Sequence, residues 1–260
     1  MLKPIKRVTQ SEKDCQNLDV INKAGKPVTR LDQPADYRNK VVLKPWGYEF
    51  LVYHNDFVAI WFLRINKDHA TSMHCHSLKK TSLSLLSGKA LCNTFKNRNF
   101  MFSGDSLILS PGVFHSTKAM SLDGISVIEM ETPPDKLDLT RLQDGYGREN
   151  MSYEGTSQMV EEKLDTYGYF HFTDMDPSGR KIMVNDHCFA SLERYSSQDE
   201  FLRSFVVDAA AIYYVCQGAL FTCDGIKFVD VGETERGTYL NQVGGIVING
   251  ETILMKTTVF

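Results

Sequence analysis

The sequence has no apolar run approaching the ~20 residues that a membrane-crossing helix needs. It also lacks a basic tract, and its net charge is −3, so neither nucleic acid nor an anionic membrane is the expected partner. Its six cysteines, at 15, 75, 92, 188, 216 and 223, contain no Cys-x-x-Cys pair and suggest no disulfide framework. Reduced thiols in a cytoplasmic protein are the expectation. The first seven residues carry charge with no apolar stretch behind them, so a signal peptide is not expected. What remains is an ordinary globular composition, 42% hydrophobic and 23% charged over 260 residues, enough for one large or two small domains.

Against that background one stretch carries chemistry. It opens with Met73-His74-Cys75-His76 and closes with a Gly104-Asp105 turn, a short apolar run and Ser110-Pro111-Gly112-Val113-Phe114-His115. Histidines two apart on a strand project from one face, because strand side chains alternate. Leu86-Ser87-Gly88-Lys89 between them reads as a hairpin turn, and the Pro-Gly turn delivers His115 on another strand. Three imidazoles converging from two strands make an open metal site, with His74, His76 and His115 as ligands. Neutral imidazoles suit zinc, iron, manganese or nickel, so one divalent transition metal is expected without its identity being fixed.

Short β-prone runs flank this stretch at 57–65, 82–86, 90–95, 106–109 and 126–130, with turn residues between them. An all-β barrel follows from that spacing. Residues 1–40 read as an irregular arm, with a short helix or edge strand near 19–23, and 41–150 as the metal-binding barrel. Trp46, between Pro45 and Gly47, is placed at the barrel end, in packing or in binding. Residues 159–167 read as a helix. The strand–Gly–strand rhythm around Gly218 repeats that around Gly88, but no His-x-His precedes it and no histidine follows Gly232. Residues 151–260 are therefore expected to form a second, degenerate β domain without metal.

The paired motifs resemble those of the cupins, jelly-roll (double-stranded β-helix) barrels with a metal at their centre. Lys44-Pro45-Trp46-Gly47-Tyr48-Glu49, Ser72-Met73-His74-Cys75-His76 and the run from Asp138-Leu139 through Arg141 to Asp144, Tyr146, Gly147 and Arg148 narrow that resemblance. Together they look like the C-terminal cupin domain of type II mannose-6-phosphate isomerases, over roughly residues 44–149. Those enzymes often carry a nucleotidyltransferase ahead of this domain, and only the arm precedes it here. The resemblance implies a bicupin, probable only in its first barrel as a metal site, acting on a sugar or sugar phosphate in nucleotide-sugar or surface-polysaccharide biosynthesis, as an isomerase or epimerase and as a homodimer.

One departure from the pattern stands out. Where the resembled isomerases carry a glutamate ligand, this chain has Lys79, next to Lys80. Lysines there could attract an anionic group of the substrate, or simply be solvated. The resemblance implies Lys79 and Glu131 as catalytic residues and Lys80, Arg141 and Arg148 as substrate-binding ones, with Glu129 sharing a strand face with Glu131. Two other readings stay open: a three-histidine non-haem Fe(II) oxygenase, and a non-catalytic carbohydrate-binding cupin.

Overall fold

A computed structural model of the chain describes residues 5–25, 28–186 and 188–259. The first half contains β1 (Lys6–Val8), α1 (Glu12–Ala24), β2 (Val41–Lys44), β3 (Gly47–His54), β4 (Ala59–Ile65), β5 (Met73–Cys75) and β6 (Lys80–Ser87). It continues through β7 (Lys89–Thr94), β8 (Arg98–Phe102), β9 (Ser106–Leu109), β10 (His115–Ala119), β11 (Ile125–Thr132), β12 (Thr140–Gln143) and β13 (Met159–Val160). These strands form an eight-stranded sheet, ordered β1-β9-β6-β11-β4-β3-β2-β13, facing a five-stranded sheet, β12-β5-β10-β7-β8. Consecutive strands switch between the sheets, so the pair closes as a jelly roll rather than a meander.

The second half contains β14 (Lys181–Asn185), β15 (Cys188–Tyr195), α2 (Gln198–Ser204), β16 (Ala211–Gln217), β17 (Ala219–Thr222) and β18 (Lys227–Asp230). It ends with β19 (Thr234–Arg236), α3 (Gly237–Val243), β20 (Ile246–Ile248) and β21 (Thr252–Val259). Its larger sheet runs β14-β15-β21-β16-β19 and its smaller one β18-β17-β20. The order β15-β21-β16-β19 repeats β4-β11-β6-β9 element for element. Gly88 and Gly218, both at positive φ, occupy the same turn in the two halves. A Cβ on either would meet backbone or side-chain oxygen inside 3 Å, so both close approach and conformation require glycine there. The second half is thus a reduced jelly roll, and the fold is the all-β double barrel expected from the strand rhythm.

Three apolar layers hold the molecule together. One fills the first barrel, with Trp61, Leu83, Leu85 and Ile125 among its members. A second lies between the halves, where Phe50, Ile60, Phe62 and Met130 of the large sheet meet Leu192, Tyr214 and Met255. The third fills the second barrel around Phe201, Tyr213 and Leu240. The outer face of the large sheet is therefore buried like its inner face, which explains why β4 reads as an unbroken apolar run.

Two expectations need correction. The arm is ordered: β1 pairs in parallel with β9, and α1 spans Glu12–Ala24 rather than a short stretch near 19–23. Ser11 and Asp14 form a capping box at its start, and Gly25 in the left-handed region ends it. The second concerns 159–167, which contains the two-residue strand β13 and a 3-10 turn (Leu164–Tyr167) in place of an α-helix.

Candidate metal centre

His74 lies on β5, and His115 opens β10 directly opposite it in the antiparallel pairing. His76 follows β5 on the same face, with Cys75 turned away between them. The arm braces this arrangement: the buried carboxylate of Asp14 accepts the backbone N–H of Phe114 at 2.8 Å, fixing the turn before His115. The ring centroids of the three histidines lie 4.4 to 5.7 Å apart, and one nitrogen from each lies within 4.8 Å of the other two.

Each ring is pinned by its other nitrogen. Nδ1 of His74 lies 2.8 Å from the Ser72 carbonyl, that of His76 2.6 Å from the Asp138 carbonyl, and that of His115 3.0 Å from the Val113 carbonyl. A carbonyl only accepts, so the tautomer assigned from these contacts puts the proton on Nδ1 and the lone pair on Nε2. Among the described residues, Nε2 of His76 and of His115 is buried with no hydrogen-bond partner. Burial depresses all three pKa values, that of His115 to about 4, so the imidazoles are neutral. Buried, neutral, pre-oriented imidazoles with unsatisfied lone pairs are the donor set that a divalent transition metal takes, and the backbone carbonyls supply the outer contacts that such ligands use. The residues fit a metal.

Two carboxyls stand beside them. Glu129 and Glu131 alternate on β11 and both are buried in the barrel, with carboxyl oxygens 3.9 and 3.8 Å from His76 Nε2. Burial, then the neighbouring Glu131, raises Glu129 to about 7. Burial acts on Glu131 in the same direction, but Lys136 and Lys79 outweigh it and hold that carboxylate below its ordinary value. Lys79 is fully buried, and its Nζ donates to Glu131 Oε1 at 2.8 Å.

The pocket around the triad encloses about 460 Å³ of atom-free space, part of it open to solvent. Charged groups of both signs line it. Lys136, on the loop after β11, sits 3.0 Å from Glu49 with its ammonium over the Trp61 ring at 3.6 Å. Arg141 lies beside His74 in the β12–β5 register and donates to the carbonyls of Met151 and Ser152 at 2.6 and 2.8 Å. Arg148 is clamped by Asp144, with Nε to Oδ2 at 2.6 Å, and pairs with Glu154. Trp46 is a buried part of the pocket wall.

The sequence-derived residues are therefore not all in one place. His74, His76, His115, Glu131, Arg141 and Arg148 line a single pocket, with Lys79 buried behind Glu131. Lys80 points the other way along β6 and reaches Glu233 of the second half at 3.3 Å. Lys136, Tyr153 and Glu154 had no sequence signal, because loop positions carry no periodicity to place them. Asp138 is a further omission: its carboxylate accepts the N–H groups of Ser77, Leu78 and Lys79 while its carbonyl holds His76.

No family model matches the chain, and no curated protein does. Solved structures do match over part of it. One is KdgF from a Halomonas species, 14% identical, covering 36% of this chain and 84% of its own, with a TM-score of 0.34. Another is an RmlC-like cupin from Shewanella frigidimarina, 14% identical over 40% of this chain and 84% of its own, TM-score 0.32. A third is a cupin-superfamily sugar phosphate isomerase from Silicibacter pomeroyi, 13% identical over 29% and 50%, TM-score 0.28. The chain is similar to these cupins in fold alone; the jelly-roll assignment rests on the strand order, and the site on its own geometry.

Proposed function

We propose that this protein is a metal-dependent sugar or sugar-phosphate isomerase or epimerase. The observation that carries the reading is the convergence of three pinned, neutral imidazoles beside a buried carboxyl pair. His74, His76 and His115 hold the ion, and the unpartnered Nε2 atoms of His76 and His115 mark where it belongs. A divalent ion there supplies Lewis-acid polarisation of a carbonyl or hydroxyl oxygen. The remaining work falls to the chain. Glu129, buried on the pocket wall, is the group placed to take a proton from the carbon next to that oxygen and return it. Lys136 and Arg141 set the cationic side of the pocket and orient an anionic or hydroxyl-rich ligand. Trp46 and Leu63 supply the apolar wall that excludes water.

The test is solvent deuterium uptake. Protein supplied in turn with zinc, manganese, nickel and ferrous iron is incubated in D2O with a panel of aldose and ketose phosphates, and carbon-bound deuterium is read by NMR. Exchange that is lost in Glu129→Gln, with metal content retained, is the expected result. Oxygen consumption with ferrous iron and no exchange would assign the site to an oxygenase. Sugar binding with neither would leave a carbohydrate-binding protein.

A further inference from the structure

Resting on the metal reading above, one atom on the page still lacks a role. Glu131 Oε2 is buried without a hydrogen-bond partner among the described residues, although the other oxygen of the same carboxylate is held by Lys79 at 2.8 Å. A buried carboxylate oxygen left unsatisfied is costly, and a fully buried ion pair with one idle oxygen is a poor stabilising device. Glu131 also groups with His76 and Glu129 through ligand atoms within 4.8 Å of one another, sharing His76 with the histidine triad.

We infer that Glu131 is the fourth protein ligand of the metal, through Oε2, and that Lys79 is the clamp that aims it by holding Oε1. The carboxylate comes from β11, across the sheet pair from the strand that bears His74, and the residue following His76 where a carboxylate was expected supplies its counter-charge instead. A protonated lysine cannot ligate, so its burial beside a metal site makes sense only if it acts on another ligand. The arrangement gives opposite signs for two substitutions. Removing Lys79 frees Oε1 and deletes a repelling charge near the cation, so metal affinity rises. Removing Glu131 deletes a donor, so affinity falls.

The experiment is competitive titration of Co²⁺ into metal-free full-length protein, with the visible d–d spectrum recorded at saturation. Glu131→Gln alone strands Lys79 and could unfold the barrel, so the deciding comparison is Lys79→Met against Lys79→Met/Glu131→Gln, which remove the pair's charges one and two at a time. The double variant is expected to bind Co²⁺ at least about 10- to 100-fold more weakly than Lys79→Met, the loss typical even of outer contacts to a ligand. Its spectrum is expected to change shape. Equal affinities and spectra in the two variants overturn the assignment while leaving the triad intact. His115→Ala is the control that separates the two levels: undiminished Co²⁺ binding in that variant removes the metal site altogether, and the Glu131 ligand with it.

Discussion

Where the first barrel carries His74 and His76 on β5, the second carries α2, and where the first turns through Pro111-Gly112 to His115, the second inserts α3 before β20. The consequence shows in the two interiors. The first encloses three histidines, two glutamates and a ring of lysine and arginine pairs. The second is filled by aromatic packing: Phe201 lies 4.9 Å from Tyr195 and stacks on Phe205 at 4.3 Å, and Phe205 meets Tyr213 edge-on at 5.6 Å. One strand order thus supports two cores with opposite duties. Burying apolar rings stabilises the second barrel directly, at about 25 cal/mol per Å². Burying imidazoles and carboxyls costs the first barrel stability that only a bound ligand recovers.

The largest test of that contrast is in the second core. Phe201→Ala removes its central ring and is expected to lower unfolding free energy by ~3–5 kcal/mol, read as a shift in denaturant midpoint. Metal stoichiometry of the folded variant is expected to be unchanged; a loss would show that the second barrel contributes to the site.

Acid sharpens the contrast from the other side. The folded histidines resist protonation, His115 down to about 4, whereas unfolded histidine protonates near 6.5. Between these values the unfolded chain binds more protons, so stability contributed by the neutral rings is complete above pH 6.5 and is lost as pH falls towards 4. Metal-free protein is expected to show that decline in thermal midpoint, and a variant with His74, His76 and His115 replaced by glutamine to show less of it. Equal slopes would mean that the triad is not the group responsible.

The smallest effect is at the seam between the halves. Lys80 and Glu233 form a partly exposed pair that Arg7 shares. Lys80→Ala is expected to cost ~0–1 kcal/mol and to leave sugar-phosphate binding unaltered, because its side chain faces away from the pocket. Weakened binding of phosphorylated sugars would return Lys80 to the site.

What the sequence disclosed follows from the range of the interactions involved. The histidine triad was legible because strand alternation and a Pro-Gly turn place side chains over two or three residues. The degenerate second barrel was legible through Gly218, whose close approach to Glu251 and Thr252 admits no side chain. The helix α1 was missed because nearly all of its surface is polar, with Asp14 its buried residue; its Ser11–Asp14 capping box was the signal present. The pairing of Lys79 with Glu131 joins residues 52 apart in sequence, and no local pattern encodes it. Lys79 therefore looked like a solvated lysine or a substrate contact, when it is spent inside the fold on another side chain.

The most direct measurement is metal content. Protein purified anaerobically, supplied with excess divalent metal and desalted, is analysed by elemental mass spectrometry alongside His74→Ala/His76→Ala. The account predicts one equivalent of transition metal per chain, lost in the double variant. Equal metal in the two proteins, or none in either, would contradict it.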